Sequence, residues 1–326
     1  MYERFYGLTE LPFELTANPK YLFLSTRQRE ALSTLQYGLF AAKSITLLVG
    51  EAGTGKTTLI RAALESERCQ HVRCVYLNNP ALRPDDFLRL LALRFDLGPE
   101  AADSKAILLE RLEALLRQRR DAGETTALVV DEAQSLSVEL LEEIRLLANI
   151  ETPSAKLLPL VLAGQPELAD RLENHDLRQL RQRVTLRCHL DPFDVKETAA
   201  FIASRLSAAG GVPSRIFTKD AVMLIHEHSR GIPRTISVLC DNALVSGMAL
   251  DTQPVTRTIV AEVCRDFRLN PGKQPSSAPQ HAPEGPFTEP PQDAAGDGSA
   301  ESAADTRHPM DVFRRSRTRF GALVSR

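Results

Sequence analysis

One stretch of the chain places glycines, a lysine and hydroxyl side chains between an apolar run and a helical pattern. Its nine residues are Gly50, Glu51, Ala52, Gly53, Thr54, Gly55, Lys56, Thr57 and Thr58. Glycines allow the backbone to curl so that successive N–H groups point at one anion, and the start of the following helix adds partial positive charge. The spacing G-x-x-x-x-G-K-[ST] therefore predicts a loop that binds the phosphates of a nucleoside triphosphate.

The polar side chains of this loop suit the same chemistry. Lys56 offers a positive charge to the β- and γ-phosphates, Thr57 offers a hydroxyl to Mg²⁺, and Thr58 adds a further phosphate contact. The alternative is a glycine-rich turn that carries a surface lysine. The apolar strand before the loop and the helical pattern after it favour the phosphate-binding interpretation.

A second element, ALVVDEAQSL, ends an apolar strand with two carboxylates. We expect Asp131 to lie at the carboxyl edge of the sheet, where open α/β sheets bind ligands, and to hold Mg²⁺ there. Glu132 can accept a proton from an attacking water, so the pair favours hydrolysis over group transfer. The alternative role for both carboxylates is to cap the next helix. Because the chain has no NKxD-like motif that would read guanine, we expect ATP rather than GTP.

Three further polar positions are candidates for the same site. Gln165, after the strand of LPLVLAGQPEL, is expected to orient the attacking water or to contact the γ-phosphate, unless it only caps the next helix. Arg183, clustered with Arg178 and Arg181, is expected to reach the nucleotide of a neighbouring subunit, and a solvated basic helix face is the alternative. Arg234 follows a proline at a helix start, where it could contact the phosphates or remain a surface arginine.

Short apolar runs alternate with amphipathic patterns and must position these residues. The predicted strands are residues 44–49, 72–77, 126–131, 156–164 and 184–190. Helical periodicity aligns two sets of apolar side chains: Leu108, Leu112 and Leu115, and Leu140, Ile144 and Leu147. This alternation predicts an α/β core with a parallel sheet over residues 1–190.

The strand signals stop after residue 190. Residues 191–269 show four helical patterns, with Thr218 as an expected N-cap and Gly210 and Gly231 where helices should end. They predict a small all-helical domain. Residues 270–326 are rich in Pro, Ala, Gly and Ser, which predicts a disordered tail with a basic end. That end includes Arg314, Arg315, Arg317 and Arg319.

Composition limits the classes of protein that fit. The 326 residues carry a formal net charge of -2, so there is no overall positive field for nucleic acid. No run approaches the roughly 20 apolar residues of a membrane span, and the N-terminus does not resemble a signal peptide. The cysteines show no metal-ligand spacing, and we expect buried reduced thiols in a cytosolic protein: Cys69, Cys74, Cys188, Cys240 and Cys264.

The order of these motifs resembles that of the AAA+ ATPase superfamily. The N-terminal pattern FxGL…PF…P…LFLS…EAL…L…GL, together with VDEAQSL and LAGQPEL, resembles the general secretion pathway protein A family over about residues 1–269. The resemblance implies an α/β P-loop NTPase core, a C-terminal helical lid and an Mg²⁺-dependent ATPase that forms a homo-oligomer.

The same resemblance implies a role in an envelope export system. Members that serve type II secretion continue into a transmembrane helix and a peptidoglycan-binding domain, whereas residues 270–326 are polar here. We therefore expect action through a membrane-associated partner protein, in the cytoplasm or peripherally at the inner membrane.

Two other functions stay open at this point. A helper ATPase in DNA transposition or replication would need a basic surface and a DNA-binding module, and the near-neutral charge disfavours DNA as a partner. A signalling NTPase switch would usually carry repeats, which the chain lacks. The N-terminal apolar residues could either cover the adenine or form a hook on the core: Phe5, Tyr6, Leu8, Pro12, Phe13 and Leu15.

Overall fold

A five-stranded parallel sheet forms the centre of the α/β part of the chain. The computed structural model describes residues 1–15, 21–78, 82–153 and 155–267, which belong to one compact unit. The sheet strands are β1 (Ile45–Gly50), β2 (Val72–Asn78), β3 (Thr125–Asp131), β6 (Leu160–Gly164) and β7 (Val184–Leu190). Their order is β2-β3-β6-β1-β7. A separate antiparallel ribbon consists of β4 (Glu151–Thr152) and β5 (Ala155–Lys156).

Helices cover both faces of this sheet, and a further group of helices, here named the helical domain, follows β7. The helices of the α/β part are α2 (Thr26–Phe40), α3 (Lys56–Leu64), α4 (Pro84–Arg94), α5 (Pro99–Asp103), α6 (Lys105–Asp121), α7 (Val138–Leu147), α8 (Pro166–Leu172) and α9 (Arg178–Arg181). The helical domain contains α10 (Val195–Ala208), α11 (Pro213–Ile216), α12 (Lys219–Ser229), α13 (Pro233–Ala249) and α14 (Arg257–Asp266), and the N-terminal α1 (Tyr2–Tyr6) packs with it.

Alternation along the strands explains why both faces are covered. Leu47 of β1 packs in one apolar cluster with α4, α6 and α7, while Leu48 packs in a second cluster with α2 and α3. Such burial on two sides is typical of parallel strands. The layered α/β fold predicted from the sequence is confirmed, and the boundary after residue 190 remains a prediction.

Parallel pairing brings the functional strand ends to one edge of the sheet. Val49 of β1 pairs with Gly164 of β6, and β6 also pairs with β3, which ends at Asp131. The phosphate loop, the carboxylate pair and Gln165 therefore leave the sheet on the same side. This is the edge at which open α/β sheets hold ligands.

Two details of the predicted elements are wrong. The predicted strand 156–164 begins only at Leu160. Pro159, directly before it, has no N–H that could donate to a neighbouring strand. Only its carbonyl oxygen takes part in pairing, by accepting from the Leu128 N–H at 3.0 Å. On α6 the fully buried stripe is Leu108, Leu112 and Leu116, whereas Leu115 is half-buried. A spacing of four keeps Leu116 on the core side of the helix.

The N-terminal segment packs on the helical domain, so the hypothesis of a hook on the α/β core is wrong. Tyr2, Tyr6, Leu8 and Phe13 are buried in the same apolar cluster as α10, α12, α13 and α14. The Tyr2 hydroxyl donates to Asp241 Oδ1. Aromatic burial thus attaches the beginning of the chain to its last described helices.

Other local signals behave as expected. Thr218 caps α12 by accepting from the Ala221 N–H, and Gly210 and Gly231 follow helices with positive φ. The five cysteine thiols are free; four are buried and Cys74 is half-buried.

None of the helices in the described ranges combines the length and apolar character needed to cross a bilayer. The predicted tail, residues 270–326, lies outside the described residues, and so do Arg314, Arg315, Arg317 and Arg319.

Gly231 offers a test of how the end of α12 is joined to the segment that precedes α10. Its φ is +73°, and a Cβ there would lie 2.0 Å from the Phe193 carbonyl oxygen, beside the bond that the Phe193 N–H donates to Gly231 O at 2.8 Å. We expect Gly231→Ala to lower the free energy of unfolding about 1–3 kcal/mol more than Gly123→Ala does. Gly123 is the matched control, because its φ is also positive, +80°, with nothing within 4 Å.

Both variants share the backbone strain of about 1–2 kcal/mol at a left-handed residue. Urea unfolding followed by circular dichroism measures the difference between them. Equal losses in the two variants would mean that the contact with Phe193 relaxes without cost.

Candidate functional site

The phosphate loop connects β1 to α3 at the carboxyl edge of the sheet. Gly53 and Gly55 have φ of +84° and +97°, and Gly55 is the N-cap of α3. The buried Thr54 donates its hydroxyl to Glu51 O at 2.8 Å and so closes the turn from within. This conformation directs a curled backbone and a helix N-terminus at one point, as anion binding requires.

Lys56 is held inside the loop that carries it. Its side chain is buried, and Nζ donates to Gly50 O at 2.8 Å and to Glu51 O at 3.1 Å. Burial lowers the pKa of Lys56, and the charges of Glu132 and Asp131 partly oppose that shift. The ammonium group therefore lies in a site whose carbonyl oxygens and carboxylates favour its charged form.

Asp131 accepts hydrogen bonds on both carboxylate oxygens. Thr57 Oγ1 donates to Oδ2 at 2.6 Å, Tyr76 donates its hydroxyl to the same oxygen at 2.5 Å, and the Glu132 N–H donates to Oδ1 at 3.0 Å. Burial and the bond to Asp131 raise the pKa of Tyr76. A hydroxyl and a carboxylate side by side are the hard oxygen ligands that Mg²⁺ prefers, so these residues fit that ion.

Tyr76 was missed by sequence reasoning. It lies on β2, whose residue Asn78 pairs with Asp131, and its side chain reaches the carboxylate from the neighbouring strand. The signal was an aromatic hydroxyl between Val75 and Leu77, two residues before the strand ends at Asn78. Only the pairing of β2 with β3 gives that hydroxyl its partner.

Glu132 follows with a backbone conformation that is uncommon for its residue type. Its φ is +56°, in the left-handed region, and its half-buried side chain accepts from Gln134 Nε2 at 2.6 Å. Non-glycine residues in this region cluster at active sites. Glu132 lines the same cavity as the phosphate loop, and its charge acts on Lys56.

A cavity of about 420 Å³ lies between the α/β core and the helical domain. The phosphate loop, Glu132 and Arg234 line one part of it, and the other part is lined by Tyr21, Phe23 and Phe201 among other residues. The volume and the mixture of aromatic and polar lining are typical of a small-molecule site. A polar end and an aromatic end would suit the two ends of a nucleotide.

The aromatic end was only partly foreseen. Of the six N-terminal residues considered from the sequence, Leu15 lines the cavity. Arg205 of α10 was missed: its guanidinium lies 5.3 Å from the Tyr21 ring centre and 4.9 Å from that of Phe201, and Nη1 donates to Pro12 O at 2.8 Å. Burial lowers the pKa of Arg205. This arginine joins the N-terminal segment to the cavity wall.

Arg234 lies where the motif predicted it, in the first turn of α13. Pro233 begins that helix, and the Arg234 N–H donates to Gly53 O at 3.2 Å. The side chain lines the cavity and is exposed to solvent. The helical domain thus contacts the phosphate loop directly.

Gln165 and Arg183 lie outside the cavity. Gln165 is the N-cap residue of α8, and its N–H donates to Gln134 Oε1 at 3.1 Å. Arg183 precedes Val184, which pairs with Ile45 at the start of β1. Because β1 spans six residues, Arg183 is about 17 Å along the strands from the phosphate loop of its own chain.

Comparisons with known proteins agree with this architecture. Residues 41–172 match the family model of an AAA domain. The chain is 42% identical over 249 residues to General secretion pathway protein A of Aeromonas hydrophila. The aligned region covers 76% of this chain and 45% of that relative. The chain therefore spans less than half the length of the curated relative it matches.

Solved structures show the same fold at low identity. An Aeropyrum pernix ORC2 protein matches with a TM-score of 0.59 at 18% identity, covering 78% of this chain and 71% of that one. Drosophila ORC bound to DNA matches with a TM-score of 0.60 at 19% identity, covering 79% and 65%. The chain thus has the AAA P-loop NTPase fold, carries an AAA domain, and is related in sequence to General secretion pathway protein A.

Proposed function

We propose that the chain binds ATP together with Mg²⁺ and hydrolyses it to ADP and phosphate. The observation that supports this most is the convergence of Lys56, the Thr57–Asp131 pair and Glu132 beside one cavity. In this proposal the triphosphate lies along residues 50–58, where the curled backbone N–H groups and the start of α3 face its charge. The aromatic end of the cavity receives the base.

Thr57 and Asp131 would hold the metal ion. When bound, Mg²⁺ supplies positive charge that offsets the charge of the phosphates. Lys56 adds a second positive charge to the same end of the site, and Arg234 approaches it from the helical domain. These residues bind and orient the substrate.

Glu132 acts in this proposal as the general base. Its carboxylate accepts a proton from a water that attacks the γ-phosphate, and the water oxygen forms the new bond as the link to the β-phosphate breaks. Gln165, at the end of the strand beside β3, is proposed to help orient that water. Its side chain would have to turn towards the cavity when substrate is present.

Arg183 is proposed to act on the nucleotide of a neighbouring subunit in a homo-oligomer. Its place at the opposite edge of the sheet supports a role in trans, because the phosphate loop of its own chain lies out of reach. Arg178 is exposed, and Arg181 is ion-paired with Glu173. Neither Arg178 nor Arg183 has an ion pair within 4 Å among the described residues, although Glu151 lies near enough to Arg183 to interact with its charge.

The biological setting follows from the relative's name alone. General secretion pathway protein A is named for secretion, and the 42% identity supports a related role for this chain. We propose that ATP binding and hydrolysis here drive the assembly or operation of an envelope export system through a membrane-associated protein partner. The chain would then work in the cytoplasm or at the inner membrane.

Removal of the Lys56 charge should strongly weaken the affinity for ATP. We expect Lys56→Ala to weaken ATP affinity about 100-fold, because a charge-assisted contact with the phosphates is lost. Binding of a fluorescent ATP analogue, followed by anisotropy, measures the effect. Lys196→Ala is the control, since Lys196 is exposed on α10; equal affinity of the Lys56 variant and the parent would refute the role of Lys56.

Conversion of the proposed base to an amide should separate binding from turnover. Glu132→Gln should bind ATP with the parent's affinity and hydrolyse it at least about 100 times more slowly, because the amide cannot accept the proton. Phosphate release under saturating Mg²⁺-ATP measures turnover. Glu110→Gln, an exposed position on α6, should leave it unchanged. Hydrolysis by the Glu132 variant at the parent rate would make Glu132 a structural residue.

The trans assignment of Arg183 predicts complementation. Arg183→Ala should slow hydrolysis about 1000-fold in the oligomer, because transition-state charge is left unpaired. Mixing it with Glu132→Gln subunits should restore activity, since some interfaces then combine an intact Glu132 with an intact Arg183. Light scattering checks that the two variants assemble together. If they do and the mixture still fails to hydrolyse ATP, the residue acting in trans is Arg178 or Arg181.

A further inference from the structure

Gln134 lies behind Glu132, in the turn Ala133–Ser135 that follows β3. Among the described residues, Glu132 lines the cavity, whereas Gln134 does not. The Gln134 Nε2 donates to Glu132 Oε2 at 2.6 Å, so one oxygen of the proposed base is bound from the protein side. The other oxygen has no such donor in the described structure and can face the cavity.

The orientation of the Gln134 amide is fixed by its second partner. The Gln165 N–H donates to Gln134 Oε1 at 3.1 Å, and a backbone N–H can only donate. The oxygen of the amide must therefore face Gln165, and its NH₂ group must face Glu132. The direction of the bond to the carboxylate does not depend on a choice between amide flips.

Gln134 is itself held by the end of β6 and by α8. Arg171 of α8 donates to the Gln134 backbone oxygen at 2.6 Å. A Cβ at Gly164 would lie 2.9 Å from Gln134 Oε1 and 2.7 Å from Leu168 Cδ2, so the glycine leaves just enough room for the amide. The side chain that touches Glu132 is thus fixed by contacts from two neighbouring elements.

We propose that Gln134 is the positioning residue of the catalytic carboxylate. It holds Oε2 of Glu132, leaves the second oxygen to accept the proton of the attacking water, and connects the base to the first turn of α8. The proposal rests on the hydrolysis proposed above. The physical basis of the proposal is that moving a catalytic group about 1 Å from its productive position can lower the rate up to about 100-fold.

Gln134→Met tests this, because methionine keeps the length of the side chain and loses both hydrogen bonds. We expect kcat to fall about tenfold while KM for ATP and the affinity for ATP stay at the parent values, since Gln134 does not contact the nucleotide cavity. Gln118→Met, the same change at an exposed position on α6, should alter neither constant. A thermal melt of each variant checks folding.

A double variant separates positioning from a general structural effect. In a Glu132→Gln background, Gln134→Met should change the residual rate less than twofold, because the group that it positions is already lost. A full tenfold loss there, or an unchanged kcat in Gln134→Met alone, would overturn the proposal. Both outcomes leave the proposed ATPase function intact, whereas a parent chain that does not hydrolyse ATP would refute that function itself.

Discussion

The hydrogen bond between Thr57 and Asp131 is the contact on which the rest of the site depends. It joins the first turn of α3 to the end of β3, two strands away in the sheet, across a distance of 2.6 Å. Asp131 can reach Thr57 only because parallel pairing through β6 brings the carboxyl ends of β1 and β3 to one edge. Tyr76 approaches the same carboxylate oxygen from β2, so three strands determine where the proposed metal-binding groups lie.

The site is completed by the helical domain and by the beginning of the chain. Arg234 contacts Gly53 through its backbone, and Arg205 ties the segment around Pro12 to the wall of the cavity. A ligand in this cavity would therefore touch parts of the chain that are almost 200 residues apart in sequence. Movement of the helical domain relative to the α/β core would alter both ends of the cavity.

Much of this arrangement could be predicted from the sequence because its signals are local. The phosphate loop, the Asp131–Glu132 pair and Arg234 each stand in a recognisable stretch, and the strand and helix periods placed those stretches in order. Tyr76, Gln134 and Arg205 could not be found in this way, since each derives its role from a partner on another element. Their side chains look like ordinary strand, turn and helix residues until the chain is folded.

The N-terminal segment shows the same limit. Its aromatic residues predicted burial, and they are buried, but the sequence did not determine which domain would cover them. Leu115 and Leu116 on α6 differ by 100° around the helix, and the packing of that helix against the sheet decided between them. Apolar periodicity identifies a face to within about one residue, whereas contacts between elements select the residue.

The most direct measurement is calorimetric titration of the purified chain with ATP, in the presence of Mg²⁺ and again with the metal chelated. The arrangement of Lys56, Thr57 and Asp131 predicts saturable binding at one site per chain, with an affinity that falls at least about tenfold when Mg²⁺ is withdrawn. Absence of binding in both titrations, or an affinity that does not respond to the metal, would contradict the assignment of this cavity to a metal–nucleotide complex.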